Sequence, residues 1–141
     1  MTVTIPGTHE DLLVEPVHAV LTTMMPDSTP QMSIVWADYD GEFVLVNTTL
    51  ERQKGKNMLR YPRVSMLIID PKNTSRWIEI RGTVVEIVAD DAETHADKLT
   101  QLYTGKQRFY GDIYPVDQKQ KETRVIVKIE PDKVSVDAIF R

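Results

Sequence analysis

Phe43-Val44-Leu45-Val46-Asn47-Thr48-Thr49-Leu50-Glu51-Arg52-Gln53-Lys54-Gly55-Lys56-Asn57 is the stretch on which the fold turns. A short apolar strand ends in a polar, hydroxyl-bearing step. A helix start then carries Arg52, Lys54 and Lys56 within five residues. The chain as a whole is acidic, with a net charge of −4. Three cations gathered where a strand passes into a helix therefore mark a corner built to hold an anion such as phosphate. A simpler reading makes the cations a solvated helix face and Thr48 with Glu51 a capping box.

Upstream, residues 17–25 are rich in β-formers and stop at Pro26-Asp27-Ser28-Thr29-Pro30, a strong turn signal. A second strand over 31–38 meets Asp40-Gly41, read as a tight hairpin, and a third strand follows over 42–47. Thr8 reads as the cap of a short helix over 9–13. Downstream, Pro62 ends the cationic helix. Residues 63–70 alternate too little for a half-exposed strand, so they read as a central strand covered on both faces. Residues 76–88 form a long strand with Ile78, Ile80 and Val84 on one face, and Gly82 marks a bulge or a close backbone approach. Residues 90–103 are the clearest helix, with Ala92, Ala96, Leu99 and Tyr103 in one stripe and Gly105 as its stop. Residues 106–119 read as an irregular aromatic loop. A strand over 123–129, a turn at Pro131-Asp132 and a last strand over 133–136 complete the chain. Six or seven antiparallel strands with few helices define a mainly β, α+β domain: a small barrel or sandwich.

The 141 residues make one domain, and the 41% of hydrophobic residues suits a fold that finishes burying its surface in a dimer. The acidic balance disfavours nucleic acid and anionic membranes as partners. With no cysteine, thiolate metal sites, disulfides and cysteine nucleophiles are excluded. His9, His18 and His95 are scattered without metal-ligand spacing, so no metal is expected. Residues 1–10 lack the pattern of a secretion signal, and a soluble cytoplasmic protein is the expectation. No nucleophile elbow, phosphate loop or dinucleotide fingerprint is present, and no catalytic residue is assigned. If the chain is an enzyme, a bound cofactor carries its reaction.

The order of Pro30-Gln31-Met32-Ser33-Ile34-Val35-Trp36, Asn47-Thr48-Thr49, Arg52-Gln53-Lys54-Gly55-Lys56-Asn57, Tyr61-Pro62-Arg63-Val64-Ser65-Met66 and Arg76-Trp77-Ile78-Glu79-Ile80-Arg81-Gly82-Thr83-Val84 resembles the pyridoxamine-phosphate-oxidase-like split-barrel proteins. These are flavin and deazaflavin oxidoreductases. The subgroup most similar is that of the small single-domain proteins using coenzyme F420. The resemblance implies a homodimer with a cofactor in each interface cleft. It implies that Ser33, Ile34 and Val35 line the ring, and that Val46 and Thr48 flank the ribityl chain. Arg52 and Lys54, with Lys56 and Asn57, would hold the phosphate, and Trp77 would reach in from the partner. The implied activity is an F420-dependent reductase acting on an unsaturated acceptor such as an enone, quinone or tetrapyrrole. Tyr110, Tyr114 or solvent would supply the proton. Gln53 between Arg52 and Lys54 departs from the adjacent Arg-Lys usual in flavin users, yet leaves FMN as an alternative. A cofactor-binding protein without turnover is a further alternative. The C-terminal stretch Asp137-Ala138-Ile139-Phe140-Arg141 offers no counterpart of a pyridoxal-phosphate site.

Overall fold

The computed structural model describes residues 3–137, so Ala138 to Arg141 lie outside the described residues. Six strands close into one antiparallel barrel: β1 (His18–Met24), β2 (Pro30–Tyr39), β3 (Val44–Thr49), β4 (Arg63–Ile69), β5 (Trp77–Val88) and β6 (Arg124–Val136). Around the barrel they run β1-β2-β3-β6-β5-β4. Every neighbouring pair is antiparallel, but β2 meets β3 only over residues 37–39, so residues 30–36 of β2 and 47–49 of β3 share no ladder and the barrel is split there. This is the split-barrel architecture expected from the sequence. Alternate residues fill the interior, among them Leu21, Val46, Met66, Ile68, Ile78, Ile80 and Val127, each almost fully buried. Burying one such side chain contributes about 1.5–3 kcal/mol, so the interior is the main source of stability.

Among the described residues four α-helices sit outside: α1 (Asp11–Val14), α2 (Gln53–Arg60), α3 (Ala92–Thr104) and α4 (Phe109–Asp112). Tyr103 fastens α3 to the sheet. Its hydroxyl is 3.0 Å from the Val17 carbonyl and 3.2 Å from both the Ala37 carbonyl and the Ala37 N–H. Its ring stacks on Trp36 at a centroid distance of 5.1 Å. Burial pushes the Tyr103 phenol up to about 12, so it stays a neutral tether at working pH.

Several expectations are corrected. Thr8 caps nothing: its hydroxyl bonds His9 Nδ1 at 2.8 Å, and α1 begins after Glu10. The hairpin at Asp40-Gly41 is a four-residue loop. The Asp40 carboxylate accepts the N–H groups of Glu42 and Phe43 at 2.9 and 2.7 Å and so selects the wider turn. β4 is not covered on both faces: Val64, Met66 and Ile68 point inward while Leu67 and Ile69 are exposed. Pro131 does not separate two strands. It sits opposite Gly82 at a register shift, where a long bent β6 crosses β5. Gly82 is both bulge and close approach, as its sequence suggests, because a Cβ there would lie 2.6 Å from Ile129 Cγ2. Asp91 occupies the N-cap of α3 in the left-handed region but makes no side-chain capping bond. The loop over 106–119 contains α4 and leads into a 3-10 segment, Val116–Lys121.

Gly55 decides where α2 sits. A Cβ there would lie 2.1 Å from the Thr49 carbonyl oxygen and 3.0 Å from its carbon. Only glycine lets the first turn of α2 lie directly on the end of β3, and that contact brings Arg52 and Lys54 beside the strand. Gly55→Ala is expected to destabilise the fold by about 1–3 kcal/mol. Urea unfolding reads this as a lower midpoint with unchanged slope. A midpoint equal to that of the unmodified chain would show that α2 has room to move.

Candidate functional site

A cavity of about 180 Å³ opens between the outer faces of β2, β3 and β6 and the helices α3 and α4. Its apolar walls are Ile34, Val35, Trp36, Ala96, Leu99, Phe109 and Ile113. Its polar lining is Asn47, Arg52, Lys54, Tyr114 and Arg124. The barrel supplies the floor because β2 turns Ile34 and Trp36 outward while Val35 faces the core. Helix α3 supplies the far wall by turning Ala96 and Leu99 toward the sheet.

Arg52 and Lys54 stand at the cavity without a counter-charge: among the described residues no carboxylate forms an ion pair with either. Arg52 Nη2 donates to the Tyr114 hydroxyl at 3.0 Å, and its guanidinium lies 5.4 Å from that ring's centroid. Lys54 titrates below its ordinary 10.5, first because it is partly buried and second because Arg52 repels it. An anion placed between them would relieve both penalties. The capping-box alternative does not form. Thr48 Oγ1 is buried without a partner, and Glu51 Oε1 accepts the Thr123 N–H at 2.6 Å.

Behind the cavity runs a chain of polar side chains. Arg124 donates to Asn47 Oδ1 at 2.8 Å. Since Arg124 can only donate, the Asn47 amide nitrogen must face the other way, toward the Ala92 carbonyl at 2.8 Å and His95 Nδ1 at 3.0 Å. That makes His95 Nδ1 the acceptor, so Nε2–H donates to Asp38 Oδ2 at 3.0 Å. Lys98 reaches the same oxygen at 3.0 Å. Burial alone would raise the Asp38 carboxyl. His95, Lys98 and the Tyr39 N–H outweigh it and bring the group from 3.8 to about 2.

A family model for pyridoxamine 5'-phosphate oxidase matches residues 5–136. The chain belongs to that family. A solved structure named F420 reductase is similar at 35% identity and a TM-score of 0.79, covering 93% of this chain and 98% of its own. The conserved hypothetical protein Rv2991 of Mycobacterium tuberculosis follows at 26% identity and TM-score 0.71, covering 96% and 85%. HupZ of Group A Streptococcus shares the fold at 16% identity and TM-score 0.67, covering 95% of each chain. No curated protein matches. Among the described residues, no helix is long and apolar enough to cross a membrane, and no group of three or more histidine and carboxylate side chains is placed to hold a metal ion.

Within this family frame, the residues expected to meet a cofactor divide sharply. Ile34, Val35, Arg52 and Lys54 come together in the cavity. Ser33 shares the inward face of β2 with Val35 and does not line it. Val46 and Thr48 are corrected: both side chains are buried in the barrel, and the residue between them, Asn47, faces the cavity. Asn57 is corrected as well. It is buried and bonds Thr23 and Gln53, which ties α2 to β1. Lys56 lies about 200° around the helix from Lys54 and is exposed, away from the cavity. Trp77 starts β5 on the outer surface and is absent from this cavity, so any role there falls to a partner's copy. Of the two tyrosines named as proton donors, Tyr114 lines the cavity. Tyr110 is turned aside, its hydroxyl donating to Glu122 at 2.8 Å. The sequence reading missed Asn47 and Arg124 as a pair, because only the barrel's register sets Thr49 opposite Arg124 and brings both residues under α3.

Two outcomes follow. Lys54→Met removes a charge whose protonated form the fold disfavours, so at pH 7 its urea midpoint should exceed that of the unmodified chain. The gain should shrink as pH rises toward 10.5, where Lys54 loses its proton anyway. Equal midpoints across that range would contradict the repulsion. Asp38 adds stability above its unfolded value near 3.8, and that stability is lost as pH falls toward 2. An Asp38→Asn variant should therefore be less stable than the unmodified chain at pH 6. The difference should narrow between pH 4 and pH 2, followed by circular dichroism.

Proposed function

We propose that this chain is an F420-dependent reductase working as a homodimer. The observation that carries the reading is the Arg52–Lys54 pair at the edge of an apolar cavity, with no ion-paired carboxylate among the described residues. The pair suits a phosphate, Arg offering a planar fork of donors and Lys a compact charge. The walls suit a flat ring, with Ile34 and Trp36 from β2 and Leu99 and Phe109 from the helices. Similarity to a structure named F420 reductase supports the choice of deazaflavin over FMN. When bound, reduced F420 supplies a hydride to an unsaturated, two-electron acceptor such as an enone, quinone or tetrapyrrole. The chain's own residues anchor the tail, orient the ring and exclude water from its inner face. Tyr114 lines the cavity with its hydroxyl 3.0 Å from Arg52 Nη2, and it or solvent would supply the proton.

The dimer rests on a separate observation. About 180 Å³ is less than a ring-bearing ligand needs, since small-molecule sites run to about 300–1,000 Å³. Beside the opening, outward side chains of the barrel form an apolar patch: Ile34 faces Val20, which faces Leu67, with Met32 and Ile69 nearby. Met32 is 68% and Ile34 61% exposed in the single chain. Ile34 belongs to both patch and cavity, so a second copy seated on the patch would complete the cavity wall. Trp77, paired with Ile69 on the same surface, would then come from the partner.

Titration of the purified protein with F420 and with FMN, followed by fluorescence, should show saturable micromolar binding of F420 and weaker binding of FMN. Tighter FMN binding would transfer the reading to a flavin enzyme, and no binding of either would overturn it. Leu67→Glu is expected to turn a dimer into a monomer in analytical ultracentrifugation and to weaken F420 binding with it. A monomeric unmodified protein that binds F420 fully would refute the shared site.

A further inference from the structure

Arg124 is a third cation at this cavity, and it differs in kind from the other two. Its side chain is 6% exposed. Nε donates to the Tyr110 hydroxyl at 3.0 Å, Nη1 to Asn47 Oδ1 at 2.8 Å and Nη2 to Glu122 Oε2 at 2.9 Å. The Phe109 ring centroid lies 4.2 Å from the guanidinium carbon. A guanidinium has five N–H donors and three are engaged, which leaves two without a partner among the described residues. Buried donors left unmade are costly, and these belong to a group that lines the cavity. A ligand acceptor would satisfy them.

The electrostatics say which acceptor. Glu122 neutralises Arg124 at 2.9 Å, whereas Arg52 and Lys54 have no such partner. A phosphate is therefore drawn to the open pair. Arg124 offers directed hydrogen bonds with little net charge, which suits a carbonyl edge. Its orientation is held by Asn47, whose amide is itself fixed by the Ala92 carbonyl and by His95, backed by Asp38. Strands β2, β3 and β6 and helix α3 thus converge on one guanidinium.

We infer that Arg124 binds a carbonyl edge of the flat ring while Arg52 and Lys54 take the phosphate, with Asn47 and His95 as positioning residues. This rests on the ring-and-phosphate reading of the cavity given above. It divides the site into two poles that recognise separate parts of one ligand. F420 and FMN both carry ring carbonyls, so the assignment holds for either.

The test uses the whole protein and two probes, a deazaflavin lacking the phosphate and inorganic phosphate alone. Arg124→Lys keeps the charge and loses the fork. It should weaken the phosphate-free ring about tenfold or more and leave phosphate binding within about twofold. Lys54→Ala should do the reverse. Arg124→Lys weakening both probes alike, or neither, would overturn the assignment. Near-UV circular dichroism checks that each variant is folded. If Arg124→Lys is not, Asn47→Leu replaces it: that variant keeps Arg124 and Glu122 and should show the same ring-selective loss. Unchanged ring affinity in Asn47→Leu would also overturn it. Should the unmodified protein bind phosphate but not the ring, the redox-ring reading itself falls. Should it bind the ring with Arg124→Lys unaffected, only the role of Arg124 falls.

Discussion

Two like charges held side by side, with no carboxylate paired to them among the described residues, are the constraint around which this structure is arranged. Partial burial disfavours the charged form of Lys54, and repulsion from Arg52 adds to it. A fold keeps such a pair only where the surrounding packing over-determines it. Gly55 provides that packing by letting α2 lie on the carbonyl of Thr49 at a distance no side chain permits. The barrel beneath cannot yield, because its interior is filled by large aliphatic side chains with almost no exposure. The corner is thus backed by a packed core.

The same barrel governs the opposite wall. Tyr103 ties α3 to β1 and β2, Trp36 stacks on Tyr103, and Phe109 meets Trp36 edge-on at 6.5 Å. Lys119 and Glu93, 2.7 Å apart, join the 3-10 segment to α3. The aromatic segment is therefore packed onto the helix beside the cavity rather than left as a free loop. A hydrogen-bonded chain from Arg124 through Asn47 and His95 to Asp38 stiffens the back of the cavity. Rigid walls with a charged pole at one end suit the orientation of a bound ring.

Much of this was legible in the chain. Alternation, turn residues and the Gly82 interruption gave antiparallel strands in a barrel or sandwich, because side-chain period and backbone sterics are local properties, and the family resemblance narrowed that to the split barrel. Arg52 and Lys54 were legible because cations at a strand–helix junction of an acidic chain stand out. What escaped reading was non-local. Val46 and Thr48 look like cavity residues until the register turns them inward and Asn47 outward. Asn57 reads as a ligand beside the cations, yet helix geometry sends it to Thr23. Pro131 reads as a turn, but opposite Gly82 it bends one strand instead of ending it. Arg124 and His95 lie 29 residues apart in the numbering, and only closure of the barrel joins them through Asn47.

The most direct test of the central claim is the titration of Lys54 itself, followed by NMR of its labelled side chain with and without F420. Without ligand, Lys54 should lose its proton below 10.5, because burial and Arg52 both disfavour the charged form. With the phosphate seated, the titration should move upward, and binding between the two values should take up protons. A Lys54 that titrates normally in the free protein, or one that does not move when the ligand binds, would contradict the account.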